Sequence, residues 1–526
     1  MPGIRPRAIK RKANDSLAGS KAKGPVKLQR TTLDAFFAPR QTAPDIAAGN
    51  GENTTAEKPL SNNLPTPKRI SGGSDVGLSA EQEAVLRMVV NDGRNIFFTG
   101  SAGTGKSLLL RAIIEALREK YANKADSLAI CASTGMAAQN IGGTTLHAWG
   151  AITPGVFDVE KQISYIKTCR PAHRRWKAVK VLVIDEVSMV DGQLFNLLAA
   201  LSTTLRRKTE RPFGGIQIVV TGDFFQLPPV TQGGKDVFFA FQSDAWKESI
   251  ERTVTLTQVF RQKDSDFVNL LNELRRGEIP PATQRVLAGL SRPLPQDDGI
   301  LPTQLFPLRT EVDRANASRL AALGGPMHTF VARDSGSAEP GKRQRLLDNM
   351  MAVGVLELKR EAQVMLVKNV SETLVNGSVG KVLGFSAPAD GGGGENSNNN
   401  NKKSYQGSGA GVELLPLVEF STFRGKETML VARDEFRAED SEGKLLARRV
   451  QVPLVLAWAV SIHKAQGQTI QRVKVDLSKV FEKGQSYVAL SRASSMAGLQ
   501  VIGFDARKVK AHPQVVEWSR GLEQAS

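Results

Sequence analysis

A glycine-rich segment near residue 100 has the residue types and spacing of a phosphate-binding loop. The apolar stretch 95–99 leads into Gly100-Ser-Ala-Gly-Thr-Gly-Lys-Ser107, after which the pattern becomes helical. Glycines in such a turn let backbone N–H groups curl around phosphate oxygens, and the start of the following helix adds partial positive charge. We expect Lys106 to reach the β- and γ-phosphates and the Ser107 hydroxyl to ligate Mg²⁺. The candidate phosphate-binding residues are Gly100, Ser101, Ala102, Gly103, Thr104, Gly105, Lys106 and Ser107.

Two carboxylates follow another apolar stretch. Residues 181–184 are Val-Leu-Val-Ile, and Asp185 and Glu186 come directly after them. Beside a phosphate-binding loop, this pattern predicts a metal ligand at Asp185 and a general base at Glu186, which would polarise the attacking water. A solvated acidic pair after a strand is the alternative interpretation.

Three further polar residues are candidates for chemistry at a γ-phosphate. Gln226 follows the apolar stretch 218–220, and its amide could sense phosphate without adding charge. Arg261 and Arg492 each follow an apolar stretch and could supply cations to the transition state. On the residues alone, an ordinary loop glutamine and surface or ion-paired arginines are the competing interpretations.

Composition and charge favour a polyanionic partner. The chain has 526 residues, of which 41% are hydrophobic, and this size suggests roughly three or four domains with real cores. Lys and Arg total 70 against 52 Asp and Glu, a net charge of +18. Residues 1–30 hold nine basic residues and one acidic residue, a net of +8, so a basic tail alone does not explain the excess. Two cysteines exclude a disulfide framework, and the apolar runs are too short for a membrane span.

The distribution of apolar segments predicts the domain organisation. Four of them are apolar enough to be strands buried on both faces of a parallel α/β sheet, at 94–99, 127–132, 179–184 and 216–221. Between 355 and 453 the pattern changes to short strands without helices, interrupted by a Gly- and Asn-rich loop at 390–411. Residues 1–75 are polar and basic, which is typical of a disordered tail.

Taken in order, the motifs resemble those of superfamily-one helicases, and specifically the petite integration frequency (PIF) family of DNA helicases. The segments that carry this resemblance are Gly100–Ser107, Ser133–Ala138, Ile184–Asp191, Thr221–Pro229, Leu256–Arg261, Val460–Thr469 and Tyr487–Ala493. Asp266–Gly277 is similar to a signature helix of that family, and Leu374–Val382 to the start of its SH3-like insert. The resemblance runs from about residue 78 to 503 and does not reach residues 1–75.

The resemblance implies an α/β fold of two RecA-like P-loop domains, with a small wedge subdomain, an SH3-like β insert in the second domain and a disordered N-terminal tail. The corresponding ranges are a tail at 1–77, a first RecA-like domain at 78–297 with the wedge near 136–165, a second at 298–355 and 454–515, and the insert at 356–453. His147 and Trp149 are candidates either for that wedge or for the core of a small subdomain.

The resemblance also implies roles at the nucleotide. Gln82 would contact the adenine, Gly467 would lie at the nucleotide, and Arg261 and Arg492 would be arginine fingers. The resemblance assigns the same roles as the residues themselves to Lys106, Ser107, Asp185, Glu186 and Gln226. The implied cofactors are ATP and Mg²⁺.

The implied activity is ATP-dependent 5′→3′ translocation on single-stranded DNA, which Thr134, His463 and Lys464 would contact. The expected substrates are duplexes, RNA–DNA hybrids and G-quadruplexes, in replication, repair, recombination and telomere or mitochondrial genome maintenance. Without the resemblance, His463 is better interpreted as a satisfied core histidine. A RecD-like or RNA helicase motor and a non-catalytic DNA-bound scaffold are the alternative functions. The basic run 10–12 favours the nucleus, and the acid-poor start would also suit the mitochondrion.

The tail has one apolar cluster. Leu33, Phe36 and Phe37 are spaced so that one helical turn places them on the same side. The pattern resembles the peptide that binds the replication sliding clamp, although Arg30 stands where that peptide usually has glutamine. We expect residues 30–37 to bind the clamp. A turn that docks on the protein's own surface and a fragment of a targeting helix are the alternatives.

We expect the DNA affinity of a chain that begins at Leu78 to fall steeply with salt. Residues 31–526 carry a net charge of +10 (18 − 8), and residues 31–77 hold four basic and five acidic residues, so residues 78–526 carry +11. Counterion release predicts that log affinity falls by about 0.7 per tenfold rise in salt for each phosphate neutralised on a single strand. Titrating a labelled oligonucleotide at several salt concentrations measures this slope. A flat response would place all phosphate binding in the first 77 residues.

Overall fold

The computed structural model describes residues 77–524 except 231–235, 261–263, 296–298, 349, 372, 388–412, 423–424 and 440–444. These residues lie within one compact unit, Gly72–Ser526. The predictions for the tail, including residues 30–37, for Arg261 and for the loop at 390–411 concern positions outside the described residues. No helix in the described part of the chain is both long and apolar enough to cross a membrane.

The first sheet contains seven strands, all parallel, and the strand before the P-loop lies near its centre. The strands from the N-terminal half are β1 (Ile96–Gly100), β2 (Leu128–Ala132), β3 (Thr144–Thr145), β4 (Val181–Asp185), β5 (Gln217–Thr221) and β6 (Arg252–Leu256). Across the sheet the order is a C-terminal strand, then β6, β1, β5, β4, β2 and β3. The helices of this half are α1 (Ala80–Val90), α2 (Lys106–Lys120), α3 (Gly135–Asn140), α4 (Leu146–Gly150), α5 (Val159–Thr168), α6 (Arg170–Ala178), α7 (Gly192–Arg206), α8 (Asp244–Ser249), α9 (Ser265–Arg276) and α10 (Pro281–Gly289).

Burial on both faces explains why these strands are apolar throughout. Ile96 and Phe98 belong to one buried cluster together with Leu109 of α2. Phe97, between them in β1, belongs to a second cluster together with Leu182 of β4. Successive side chains of a strand point to opposite faces, so both faces of the sheet need apolar residues. Each such side chain stabilises the fold by about 1.5–3 kcal/mol relative to an exposed one.

The rest of the chain contributes a second parallel sheet. The strands described in this part of the chain, which belong to several sheets, are β7 (Thr303–Phe306), β8 (His328–Val331), β9 (Arg333–Ser335), β10 (Val355–Leu358), β11 (Gln363–Leu366), β12 (Val379–Ser386), β13 (Leu415–Thr422), β14 (Gly425–Leu430), β15 (Asp434–Glu439), β16 (Leu445–Gln451), β17 (Leu454–Leu456), β18 (Ala459–Ser461), β19 (Val473–Asp476), β20 (Leu499–Ile502) and β21 (Glu523–Gln524). The helices of this part are α11 (Arg309–Ala322), α12 (Pro340–Asp348), α13 (Ile462–Ala465), α14 (Gln485–Leu490) and α15 (Pro513–Ser519). The second parallel sheet has the order β18-β7-β19-β20.

Antiparallel strands lie in the sequence between β7 and β18. They form a five-stranded sheet of order β14-β13-β12-β11-β17, a three-stranded sheet of order β15-β16-β9 and the pair β10-β8. Val364, Val418 and Phe420 belong to a buried cluster separate from those of the first sheet. Strands of the predicted insert range 356–453 thus pair with β8 and β9 before it and with β17 after it. Pairing between such distant strands depends on tertiary packing, which no local pattern encodes.

The two residues that are candidates for a wedge differ in burial. Trp149 is buried, with its ring centroid 4.6 Å from that of Trp176. The indole N–H of Trp176 donates to the Gly150 carbonyl at 3.0 Å. Trp149 is therefore a core residue, in the same buried cluster as Phe97 of β1, while His147 near it is half-buried.

The C-terminal segment returns to the first sheet. Strand β21 pairs with β6 in parallel. Trp518 of α15 stacks on Phe241 with 4.3 Å between ring centroids, and Phe97 of β1 lies 5.8 Å away. Residues that follow the second sheet in sequence thus pack behind the strand that leads into the P-loop.

Candidate active site

The P-loop connects β1 to α2 through backbone that favours glycine. Gly103 and Gly105 have φ of 92° and 75°, a region that residues with a Cβ rarely adopt. A Cβ at Gly105 would also lie 2.5 Å from Nε2 of Gln82. Lys106 begins α2, and its ammonium donates to the carbonyls of Gly100 at 2.8 Å and Ser101 at 3.0 Å. The loop and its lysine have the arrangement that phosphate binding requires.

Gln82 is positioned against this loop by the cap of α1. Its side-chain oxygen accepts from the Ser79 N–H, and the Ser79 hydroxyl accepts from the Gln82 N–H, so the two residues form a capping box. The Gln82 amide then donates to the Thr104 carbonyl at 3.3 Å. This contact places the residue predicted for adenine beside the phosphate-binding loop.

Asp185 and Glu186 lie at the carboxyl end of β4. Asp185 accepts a hydrogen bond from the Glu186 N–H at 2.8 Å, and Glu186 has left-handed backbone with φ 51°. Burial and the charge of Glu186 raise the pKa of Asp185. Burial also raises the pKa of Glu186, while Lys106 and Arg492 oppose that shift.

The oxygen ligands here fit a hard cation. No group of three or more His, Cys, Asp or Glu side chains in the described part of the chain could hold a metal ion by itself. Asp185 and Ser107 line the same cavity, and Mg²⁺ is typically held by one or two protein oxygens together with substrate phosphates and water. Compensating charge would also stabilise a carboxylate whose pKa is raised by burial.

Gln226 lies on a buried loop after β5. Its side-chain oxygen is buried and has no hydrogen-bond partner among the described residues. A Cβ at Gly484, whose φ is 80°, would lie 2.5 Å from the Gln226 backbone oxygen. The turn before α14, on the side of the second sheet, therefore packs directly against the loop that carries Gln226.

A buried network joins this loop to the P-loop. Asp223 is fully buried and accepts from the Arg275 guanidinium, with contacts of 2.8–3.1 Å. Burial alone would raise the pKa of Asp223, but Arg275 outweighs it and the pKa is lowered. The Tyr487 hydroxyl lies 3.3 Å from Asp223 and accepts from the P-loop N–H of Ala102 at 2.8 Å. Arg275 of α9 and Tyr487 of α14 thus fix the P-loop and the Gln226 loop relative to each other.

Arg492 is almost completely buried at the end of α14. Its guanidinium donates to the carbonyls of Val488 at 2.9 Å and Gln468 at 3.4 Å. Its positive charge lowers the pKa of Glu186, against the larger effect of burial. The other predicted finger, Arg261, lies in the range 261–263, outside the described residues.

A cavity of about 710 Å³ brings the predicted DNA contacts close to the carboxylates. Its lining includes Thr134, Glu186, His463, Lys464 and Gly467. Thr134 caps α3, and its hydroxyl accepts from the Ala137 N–H. The His463 side chain is 39% exposed and lies 3.8 Å from Glu482. His463 is therefore not a core histidine.

Sequence reasoning assigned no role to Gln466 or Tyr487. Gln466 donates to Glu186 at 3.0 Å across the cavity, and Tyr487 contacts the P-loop as described above. Both lie inside recognised motif segments, but neither residue type indicates a partner several hundred positions away.

Fold and site together define a class, a P-loop nucleotide-binding protein with a RecA-like parallel sheet. The sequence profile of PIF1-like helicases matches residues 77–285, and that of the DNA helicase Pif1 2B domain matches residues 343–385. The chain belongs to the PIF1-like helicase family.

Relatives and solved structures agree with this assignment. The chain is 49% identical over 471 residues to the ATP-dependent DNA helicase PIF1 of Emericella nidulans, covering 85% of this chain and 63% of the relative. It is similar to the crystal structure of the Pif1 helicase from Candida albicans, with a TM-score of 0.69 and 45% identity over 85% of this chain and 99% of that one. Bacteroides Pif1 bound to ssDNA gives a TM-score of 0.54 and 25% identity, over 85% and 97%. The chain thus spans less than two thirds of the length of the first of these relatives.

We expect Arg275→Ala to lower the free energy of unfolding by about 3–5 kcal/mol, because it leaves Asp223 buried without a countercharge. Arg276→Ala is the matched control, since the adjacent side chain is 47% exposed and, among the described residues, forms its ion pair with Glu278 at the surface. Urea unfolding of both variants measures the difference. Equal, small losses would show that the Asp223–Arg275 pair does not hold this part of the site together.

Proposed function

We propose that this chain is an ATP-dependent DNA helicase that moves 5′→3′ along single-stranded DNA. The observation that carries the proposal is the single cavity lined both by the P-loop serine and the Asp185–Glu186 pair and by the three predicted DNA contacts. A nucleotide and a DNA strand bound at its two ends would touch the same short segments. Hydrolysis at one end would therefore change the contacts at the other.

In the proposed mechanism, the first sheet binds and activates the nucleotide. Lys106 and the P-loop amides would hold the phosphates, Ser107 and Asp185 would hold the metal, and Gln82 would contact the adenine. Bound Mg²⁺ would neutralise charge on the β- and γ-phosphates. Glu186 accepts the proton of the attacking water, and the buried amide of Gln226 reads the γ-phosphate.

The second sheet supplies the remaining charge. Arg492, at the end of α14, lies across the cleft from the P-loop and would stabilise the transition state together with Arg261. Nucleotide bound between the sheets then favours closure, and release favours opening. The strand held by Thr134, His463 and Lys464 advances by about one nucleotide in each cycle, the step that the family resemblance implies. The ssDNA-bound Bacteroides structure supports such a strand site.

The finer parts of the proposal concern the accessory elements and the tail. We assign the wedge to the region of residues 136–165 and the SH3-like insert to 356–453, where the antiparallel sheets lie. Duplexes, RNA–DNA hybrids and G-quadruplexes are the proposed substrates in genome maintenance. The basic run 10–12 supports a nuclear location, with a mitochondrial share, and Leu33, Phe36 and Phe37 support binding to the sliding clamp.

Glu186→Gln should keep ATP and DNA binding but lower the DNA-stimulated ATPase rate by about 10²- to 10⁴-fold, because it removes the general base. Steady-state hydrolysis with and without single-stranded DNA, beside nucleotide and oligonucleotide titrations, gives the three quantities. Glu357→Gln is the matched control, since Glu357 is exposed on β10. Near-normal turnover in Glu186→Gln would refute the assignment. Absence of DNA-stimulated hydrolysis in the unmodified chain would refute the helicase function itself.

The clamp proposal predicts that a peptide of residues 27–40 binds the replication sliding clamp through its apolar turn. The same peptide with Phe36→Ala and Phe37→Ala should bind at least about tenfold more weakly, because two aromatic anchors are lost. A fluorescence titration of both peptides against the clamp measures this. Indistinguishable binding, or no binding at high micromolar concentration, would rule out this partner.

A further inference from the structure

One hydrogen bond crosses the cleft from the second sheet to the carboxylates of the first. The Gln466 side-chain amide donates to Glu186 Oε2 at 3.0 Å, although the two residues are 280 positions apart. Gln466 follows α13 directly, and Glu186 follows β4. The amide therefore occupies a lone pair of the carboxylate that would accept a proton from the attacking water.

The same short helix carries two of the proposed DNA contacts. His463 and Lys464 belong to α13, three and two residues before Gln466, and line the cavity with it. The Ser461 hydroxyl caps this helix by accepting from the Lys464 N–H at 3.3 Å. Gln466 is the C-cap of this helix, and its N–H donates to the His463 carbonyl at 3.4 Å, so a displacement of the DNA-contacting residues would be passed to Gln466.

The segment after Gln466 is tethered on its far side. Gln468 is buried and donates to Asn376 at 3.3 Å, and Asn376 donates to Asn140 of α3 at 3.3 Å. Gly467, between the two glutamines, is exposed and has φ 79°. The Gln468 N–H also donates to the Ala465 carbonyl at 3.1 Å, which closes the turn. Gln468 therefore anchors the segment, and the half-buried side chain of Gln466 is the part that can leave Glu186.

We infer that Gln466 is a positioning residue that restrains Glu186 and is withdrawn when single-stranded DNA binds α13, so that it couples DNA binding to ATP hydrolysis. The inference rests on the proposed helicase function and adds the regulation of its active site. A neutral amide suits this role. Its hydrogen bond to the Glu186 carboxylate favours the restrained arrangement by a factor of about 10 in the equilibrium constant. The binding of a DNA phosphate at Lys464 is able to overcome a preference of that size.

Removing the restraint should raise hydrolysis without DNA. In Gln466→Ala we expect the DNA-independent kcat to rise about 10-fold while the stimulated kcat stays close to that of the unmodified chain, so the stimulation ratio falls about 10-fold. Gln466→Met should act in the same direction, because it keeps the length of the side chain and removes the donor. By reciprocity, both variants should bind a poly-dT oligonucleotide more tightly, since DNA no longer has to break this contact.

The experiment measures ATPase rates of the full chain at saturating ATP, with and without poly-dT, beside oligonucleotide binding by fluorescence anisotropy. Gln344→Ala is the matched control, because the Gln344 amide also donates to a carboxylate, that of Asp348 at 2.8 Å, on the exposed side of α12 and outside the lining of the cavity. A stimulation ratio equal to that of the unmodified chain in both Gln466 variants would overturn the inference. So would a proportional fall of both rates, which would mean that Gln466 supports Glu186 in every state.

The unmodified chain separates this inference from the function on which it rests. If it hydrolyses ATP faster with poly-dT and the Gln466 variants match it, only the coupling role of Gln466 fails. If it shows no stimulation by poly-dT, the proposed helicase function fails, and the inference fails with it.

Discussion

Charge compensation at the carboxyl edge of the first sheet is the constraint on which the rest of the structure depends. Three carboxylates lie there: Asp223 is fully buried, and Asp185 and Glu186 are half-buried. A carboxylate removed from water is costly unless cations and hydrogen bonds compensate it. The compensating cations come from separate elements: Lys106 of α2, Arg275 of α9 and Arg492, the second residue after α14. None of these elements by itself supplies enough positive charge to compensate all three carboxylates.

This constraint makes the nucleotide site a shared property of both parallel sheets. Tyr487 reaches the P-loop amide of Ala102, Arg492 acts on Glu186, and Gln466 donates to it. In the proposed mechanism, nucleotide and Mg²⁺ would bring their own charges to this place, and their arrival and departure would change the contacts that hold the second sheet against the first.

The two sheets are joined by the chain at two places. The first connection follows α10, and the second is the C-terminal segment, in which α15 and β21 return to the first sheet. The stacking of Trp518 on Phe241, beside Phe97 of β1, places that return behind the P-loop strand. Two connections leave fewer relative motions open than one, which favours opening and closing of the cleft over free rotation.

The sequence by itself determined the features that depend on residues close together in the chain. The glycines before Lys106 and Ser107 form a phosphate-binding loop whenever a strand precedes them and a helix follows. An apolar strand followed by Asp185 and Glu186 places both carboxylates at its carboxyl end in any sheet that contains it. Family membership follows from the order of such segments. The tertiary structure decided the rest: that Gln466 meets Glu186 across 280 positions, that Trp149 is core, and that the C-terminal strand joins the first sheet. Those contacts arise from packing between distant elements, whose energies depend on shape and burial and leave no trace in local residue spacing.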